Sequence, residues 1–160
     1  NKILYTIKTD LEKIVGYNYS FTNKIFPSLI ITPNFSDSRI TLVCYGEVLH
    51  DVEVAAREGL IEFEIPLEIV CPTLISPPDT ELIKKSVNRT KNLLIIEEGN
   101  NEAAWGSEIV TSLIEDGVKI ENLCRFSNNN IIPSSFEAEL SIMPTKKTIY
   151  NQIIIFENSL

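Results

Sequence analysis

The sequence is short of the residues from which reactive centres are built. It holds one histidine and three cysteines in 160 residues. Cys44, Cys71 and Cys124 have no metal-ligand spacing, and any disulfide scheme leaves one of them unpaired. They read as small buried thiols in a reducing compartment, so a cytoplasmic location is expected. His50 has no second histidine and no suitably spaced cysteine. It reads as a surface or boundary residue in the first turns of a helix. Glycine is missing where a phosphate cradle would need it: Tyr45-Gly46-Glu47 and Glu98-Gly99-Asn100 carry one glycine each, which excludes a Gly-rich loop after either strand. Basic residues are in deficit, 14 Lys and Arg against 22 Asp and Glu, for a net charge of −8. That balance argues against a nucleic-acid partner and fits either plain solubility or a basic protein partner. No apolar run approaches the roughly 18 residues that span a bilayer, so no membrane partner is expected. The opening residues show no secretory pattern. The chain starts at Asn1 rather than Met and is expected to be a piece of a longer protein.

What is present is a βαβαβ pattern between Ile40 and Glu108. Three short runs rich in Val, Ile and Leu alternate with two stretches of helical spacing, the mark of a sheet buried on both faces. A hydrophobic content of 44% supports one globular unit. Residues 1–23 read as a leading linker segment and residues 24–160 as one α/β domain. Residues 24–33 form a strand candidate that Pro27 and Pro33 confine to a sheet edge. Residues 34–38 make a turn, and residues 39–45 the first central strand, ended by Gly46.

Val48, Val52, Ala55 and Ala56 then share one helix face, Gly59 blurs the helix end, and Pro66 closes the segment. Residues 67–71 are the second central strand. Ser76-Pro77-Pro78-Asp79 predicts a helix start with Ser76 as the cap and Asp79 completing it, so Ser76→Ala is expected to cost about 1 kcal/mol. That helix buries Leu82, Ile83 and Val87 and ends near Asn88. Residues 92–97 are the third central strand. Asn100 or Asn101 is expected to cap the next helix, which carries Trp105, Ile109, Leu113 and Ile114, with Gly117 in the place of a C′ residue. Residues 118–126 form the last strand, and residues 127–132 a polar loop. Ser134 or Ser135 starts a short helix over Phe136 and Leu140. Pro144 precedes a terminal helix with Ile149, Ile153 and Phe156 on one face.

No catalytic constellation is complete in this core. Glu97 and Glu98 end a strand at the carboxyl edge, where open α/β sheets bind ligands. A paired-carboxylate mechanism needs a partner acid or base, and none is identifiable, so Glu97 reads as a hydrogen-bonded structural carboxylate. Trp105 has two open readings, as core packing or as an anchor in a subunit interface.

The order Tyr45-Gly46, Ser76-Pro77-Pro78-Asp79, Ser86-Val87, Glu97-Glu98-Gly99, Gly106-Ser107-Glu108-Ile109 resembles the C-terminal domain of transketolase-like enzymes. It is most similar to the β subunit of the thiamine-diphosphate-dependent 2-oxo acid dehydrogenase component, pyruvate or branched-chain. Ile3-Leu4-Tyr5 and Met143-Pro144 also resemble that subunit. The match covers residues 37–160 well and the first 36 loosely. It retains one glycine, Gly106, where the family has a Gly-rich turn, and an Asn-rich segment with Pro133 alone where the family has a Pro-rich loop.

The resemblance implies a three-layer α/β/α domain with a mostly parallel five-stranded sheet, its first strand antiparallel. It implies no cofactor in this chain: thiamine diphosphate and Mg²⁺ would lie between other domains of the parent oxidoreductase, and the isolated chain would be inactive. Its partners would be the other domains or subunits of a homo- or hetero-oligomer, and the basic subunit-binding domain of a dihydrolipoyl acyltransferase. Glu115 and Asp116, with Phe156 as an apolar neighbour, are the docking candidates; the plain alternative is a solvated helix end. Trp105, Gly106 and Glu108 are the interface candidates. Two other functions stay open, a freestanding adaptor or regulatory module and a small-molecule-binding domain using Cys71, Thr73 and Glu97.

Overall fold

The computed structural model describes residues 16–128 and 133–160. In chain order, β1 (Tyr17–Phe21) and β2 (Leu29–Pro33) form a hairpin. They are followed by β3 (Ile40–Val43), α1 (Val48–Phe63), β4 (Leu67–Cys71), α2 (Thr80–Thr90), β5 (Asn92–Asn100), α3 (Trp105–Glu115) and β6 (Asn122–Asn128). The short α4 (Phe136–Leu140) and the terminal α5 (Lys146–Glu157) complete the described chain. One six-stranded sheet has the order β1-β2-β4-β3-β5-β6. Strands β4, β3, β5 and β6 are parallel neighbours, and β2 pairs antiparallel with both β1 and β4.

The sheet is covered on both faces, which is why its middle strands are apolar almost throughout. On one face α1 and α5 pack over Leu42, Ile69, Leu94 and Ile96, with Val52, Ala55, Ala56, Ile149, Ile153 and Phe156 pointing inward. On the other, α2 and α3 bring Ile83, Val87, Ile109 and Leu113 against Val43, Val70, Leu93 and Ile95. Neighbouring residues of one strand therefore serve different cores, as the period of two requires.

The three-layer, mostly parallel architecture is as expected, with one strand more. The strand expected at the edge, β2, is interior, because β1 pairs along its outer side from Tyr17↔Pro33 to Phe21↔Leu29. Pro27 falls before β2 and Pro33 is its last residue, so neither interrupts the ladder. The sheet thus reaches into the segment read as a linker; residues 1–15 lie outside the described residues. Helix α1 runs through Gly59 and stops where Glu64 turns left-handed at φ 53°.

Helix α2 begins at Thr80 rather than after Ser76, with Asp79 at the cap position and no side-chain capping bond. The Asp79 carboxylate is turned to Lys24 at 2.9 Å and the Ser28 hydroxyl at 3.5 Å instead. Ser76 therefore does not cap α2, and Ser76→Ala removes no capping bond from it. Neither Asn100 nor Asn101 caps α3, whose cap position is Ala104. At its other end Gly117, at φ 74°, donates to Ile114 O and Val118 donates to Leu113 O, the expected glycine stop in its Schellman form. The last strand begins at Asn122, because residues 118–121 complete this turn, and it runs on to Asn128. Residues 129–132 of the Asn-rich segment are outside the described residues. Thr145 and Thr148 form a reciprocal capping box that starts α5.

Candidate functional site at the carboxyl edge

The crossover from β3 through α1 leads to β4 on one side, and the crossover from β5 through α3 leads to β6 on the other. Strands β3 and β5 are neighbours, so their carboxyl ends form a topological switch point, where open α/β sheets take their ligands. The N-termini of α1 and α3 open there on opposite faces, each with unpaired N–H groups that favour an anion.

Both are already occupied by the chain itself. Gly106 N–H, in the first turn of α3, donates to Glu97 Oε2 at 2.9 Å. Glu98 faces the start of α1, where the Val48 N–H favours its ionised form. Consecutive residues of β5 face opposite sides of the sheet, so two adjacent glutamates reach two different helices.

Glu97 is wholly buried and also meets Arg125 Nη2 at 3.3 Å, and the same guanidinium nitrogen donates to Asn101 O at 2.9 Å. Gly106 is required by this contact. A Cβ there would lie 2.7 Å from Glu97 Oε1, 3.1 Å from Ile95 Cγ2 and 3.2 Å from Arg125 Nε. Glu98 is half-buried, and burial first, then the charge of Glu47, pushes its carboxyl upward against the Val48 hydrogen bond. Burial, then the charges of Glu97 and Glu98, pushes the Tyr45 hydroxyl up as well. The Tyr45 ring meets Trp105 edge-on with centroids 4.9 Å apart, and Trp105 Nε1 donates to Ile75 O at 3.0 Å. Trp105 packs on the α2/α3 core yet keeps part of its ring in solvent, so both of its readings have a physical basis.

The structure does not draw Cys71, Thr73 and Glu97 into one site. Thr73 Oγ1 donates to Pro27 O at 2.9 Å, which ties it to the loop before β2. Cys71 is buried beside Cys44, whose thiol is pushed well above its ordinary value by their hydrogen bond first and burial second. A thiol held protonated is a poor nucleophile. Glu97 faces the α3 side and is fully engaged. Glu115 and Asp116 are exposed at the end of α3, where Asp116 pairs with Lys84 at 2.5 Å. Phe156 is 4% exposed and lies in the α1/α5 core, so it is separated from them by the sheet. Glu108 is exposed on α3.

The contacts that sequence reasoning missed are Glu98 to α1, Arg125 to Glu97, and Tyr45 to Trp105. Strand alternation at Glu97-Glu98 carried the first of these signals. The second depends on the register of β6, where Arg125 stands beside Ile95. Among the described residues, no group of three or more His, Cys, Asp or Glu side chains is placed to hold a metal ion, and no helix is long and apolar enough to cross a membrane.

Residues 34–149 match the family model described as "Transketolase, C-terminal domain", and the chain belongs to that family. It is similar to the pyruvate dehydrogenase E1 component subunit beta of Staphylococcus epidermidis, at 26% identity over 115 residues. That match covers 71% of this chain and 35% of the relative. It is similar also to the mitochondrial 2-oxoisovalerate dehydrogenase subunit beta of Chaetomium thermophilum, at 27% identity over 77 residues, covering 48% of this chain and 16% of that one. Among solved structures, a chain titled "Split gene transketolase, inactive beta4 tetramer" shares the fold with a TM-score of 0.63 and 20% identity. It covers 75% of this chain and 39% of that one. The chain therefore spans about a third or less of the curated relatives it matches.

Proposed function

We propose that this chain is the C-terminal assembly domain of a thiamine-diphosphate-dependent 2-oxo acid dehydrogenase or transketolase-like enzyme, and that it performs no chemistry alone. The observation that carries this is the self-occupied switch point, in a chain of this family. Glu97 and Glu98 take the N-termini of α3 and α1, where a ligand anion would bind. Glu47 adds a third carboxylate. These residues do not fit a diphosphate, so thiamine diphosphate and Mg²⁺ belong to other domains of the parent oxidoreductase. The cellular setting in this proposal is the cytoplasm, where the free thiols of Cys44, Cys71 and Cys124 stay reduced.

Within that role, Trp105, Gly106 and Glu108 place a half-exposed aromatic ring and an exposed carboxylate at the rim of the carboxyl edge, as a subunit contact would need. Glu115 and Asp116 offer an acidic surface to a basic partner domain, with the net charge of −8 speeding encounter. Phe156, buried on the opposite face of the sheet, takes no part in that surface.

Calorimetry of the chain with thiamine diphosphate and Mg²⁺ should register no binding, and tight binding would sink the proposal. Co-purification with the remaining subunits should be lost in Trp105→Ala while the fold, read by circular dichroism, survives. Unchanged co-purification would move the interface elsewhere.

A further inference from the structure

Of the three cysteines in the sequence, the register of the sheet sets two side by side. Strands β3 and β4 are parallel neighbours with Val43 opposite Val70, so Cys44 and Cys71 are the next pair along. The Cys44 N–H donates to Val70 O at 3.3 Å, which carries the pairing one residue past the end of β3. The pleat turns both thiols to one face: Val43 and Val70 lie in the α2/α3 core, whereas Cys44 and Cys71 lie in the α1/α5 core. Neighbouring strands lie about 4.7–4.9 Å apart, inside the Cα separation of about 4.4–6.8 Å that a disulfide spans. Cys124 stands on β6, with β5 between it and β3, and its sulfur accepts from Gln152 Nε2 at 3.2 Å.

We infer that Cys44 and Cys71 form a paired-thiol modification site, which a small hydroperoxide closes into a disulfide between β3 and β4. Cys71 is 6% exposed at the carboxyl edge and Cys44 is fully buried, so the peroxide meets Cys71 first. The Cys71 thiolate takes one peroxide oxygen as the O–O bond breaks, and the alkoxide collects the thiol's proton and leaves as an alcohol. Cys71 is then a sulfenic acid. The Cys44 sulfur attacks the Cys71 sulfur, the S–O bond breaks, and hydroxide leaves with the Cys44 proton as water. Two thiols and one hydroperoxide yield one disulfide, one alcohol and one water. Cys44 keeps its proton until that second step, because its hydrogen bond to Cys71 and then its burial favour the thiol. The new bond fastens the turn that leads from β3 into α1 to the end of β4.

The test treats the folded 160-residue chain with tert-butyl hydroperoxide, unfolds it in N-ethylmaleimide and maps its peptides by mass spectrometry. Of the three free thiols, Cys124 alone should remain to be alkylated, beside a Cys44–Cys71 link lighter by two hydrogens. Dithiothreitol should restore all three. Cys124→Ala should leave the link in place, and Cys44→Ser should lose it and leave a Cys71 sulfenic acid that dimedone captures. Three alkylated thiols after treatment, a link between two chains, or a link through Cys124 in the folded chain would each overturn the site. Should Cys44→Ser not fold, the links mapped in the wild type and in Cys124→Ala decide alone.

Discussion

On the α2/α3 face, Glu97 has a backbone N–H on one oxygen and a guanidinium near the other; on the α1/α5 face, Glu53 has a tyrosine hydroxyl and an oxygen with nothing. Both carboxyl groups are buried. The α2/α3 face also buries three hydroxyls as a closed set, Thr41 Oγ1 lying 2.7 Å from both Ser86 and Thr90. The contrast teaches that burial by itself does not define what an acid does. Fully partnered, it ties a helix to a strand; left short of partners, it is pushed by burial toward its neutral form.

Glu97→Ala should make the first face resemble the second at greatest cost. It strands Arg125 and the Gly106 N–H, and chemical denaturation should read a loss of about 3–5 kcal/mol. Gly106→Ala attacks the same contact from the helix side. The added methyl group meets Glu97, Ile95 and Arg125, and about 2 kcal/mol should be lost. Thr41→Val asks whether the hydroxyl set shares in this rigidity. Thr90 keeps its bond to Asn92 O at 3.2 Å while Ser86 loses Thr41, so a thermal scan should show a loss of about 1 kcal/mol. Asp116→Asn removes only a surface pair with Lys84 and should change stability by about 0.5 kcal/mol or less. A larger effect there would mean that the α2–α3 seam, and not the buried network, dominates this face.

Much of the frame is legible in the residues. The run 67–71 is apolar apart from Glu68 and forms β4 with those bounds, and Ile149, Ile153 and Phe156 at helical spacing form the buried face of α5. Gly117 stops α3 because only a residue at ease with positive φ fits there. What was not legible depends on distant pairing. β1 is only five residues long, and its alternation of Tyr17, Tyr19 and Phe21 becomes a strand by pairing along the open edge of β2. Ser76 has the chemistry of a cap, but Lys24, far away in sequence, takes Asp79 and the helix starts later. Glu97 could be read as a hydrogen-bonded carboxylate from its position after a strand, whereas Arg125 became its neighbour through sheet register. Phe156 carried no sign of which face it would enter until α5 was docked.

The two glutamates at the end of β5 have a consequence for how this domain depends on its surroundings. A dissociable anion at a helix N-terminus stabilises a fold only in proportion to its concentration over its dissociation constant. Glu97 and Glu98 are tethered to the strand, so their effective concentration at the two helices is set by chain geometry and cannot be diluted. At these two helix starts the domain carries its counter-ions as part of its covalent structure.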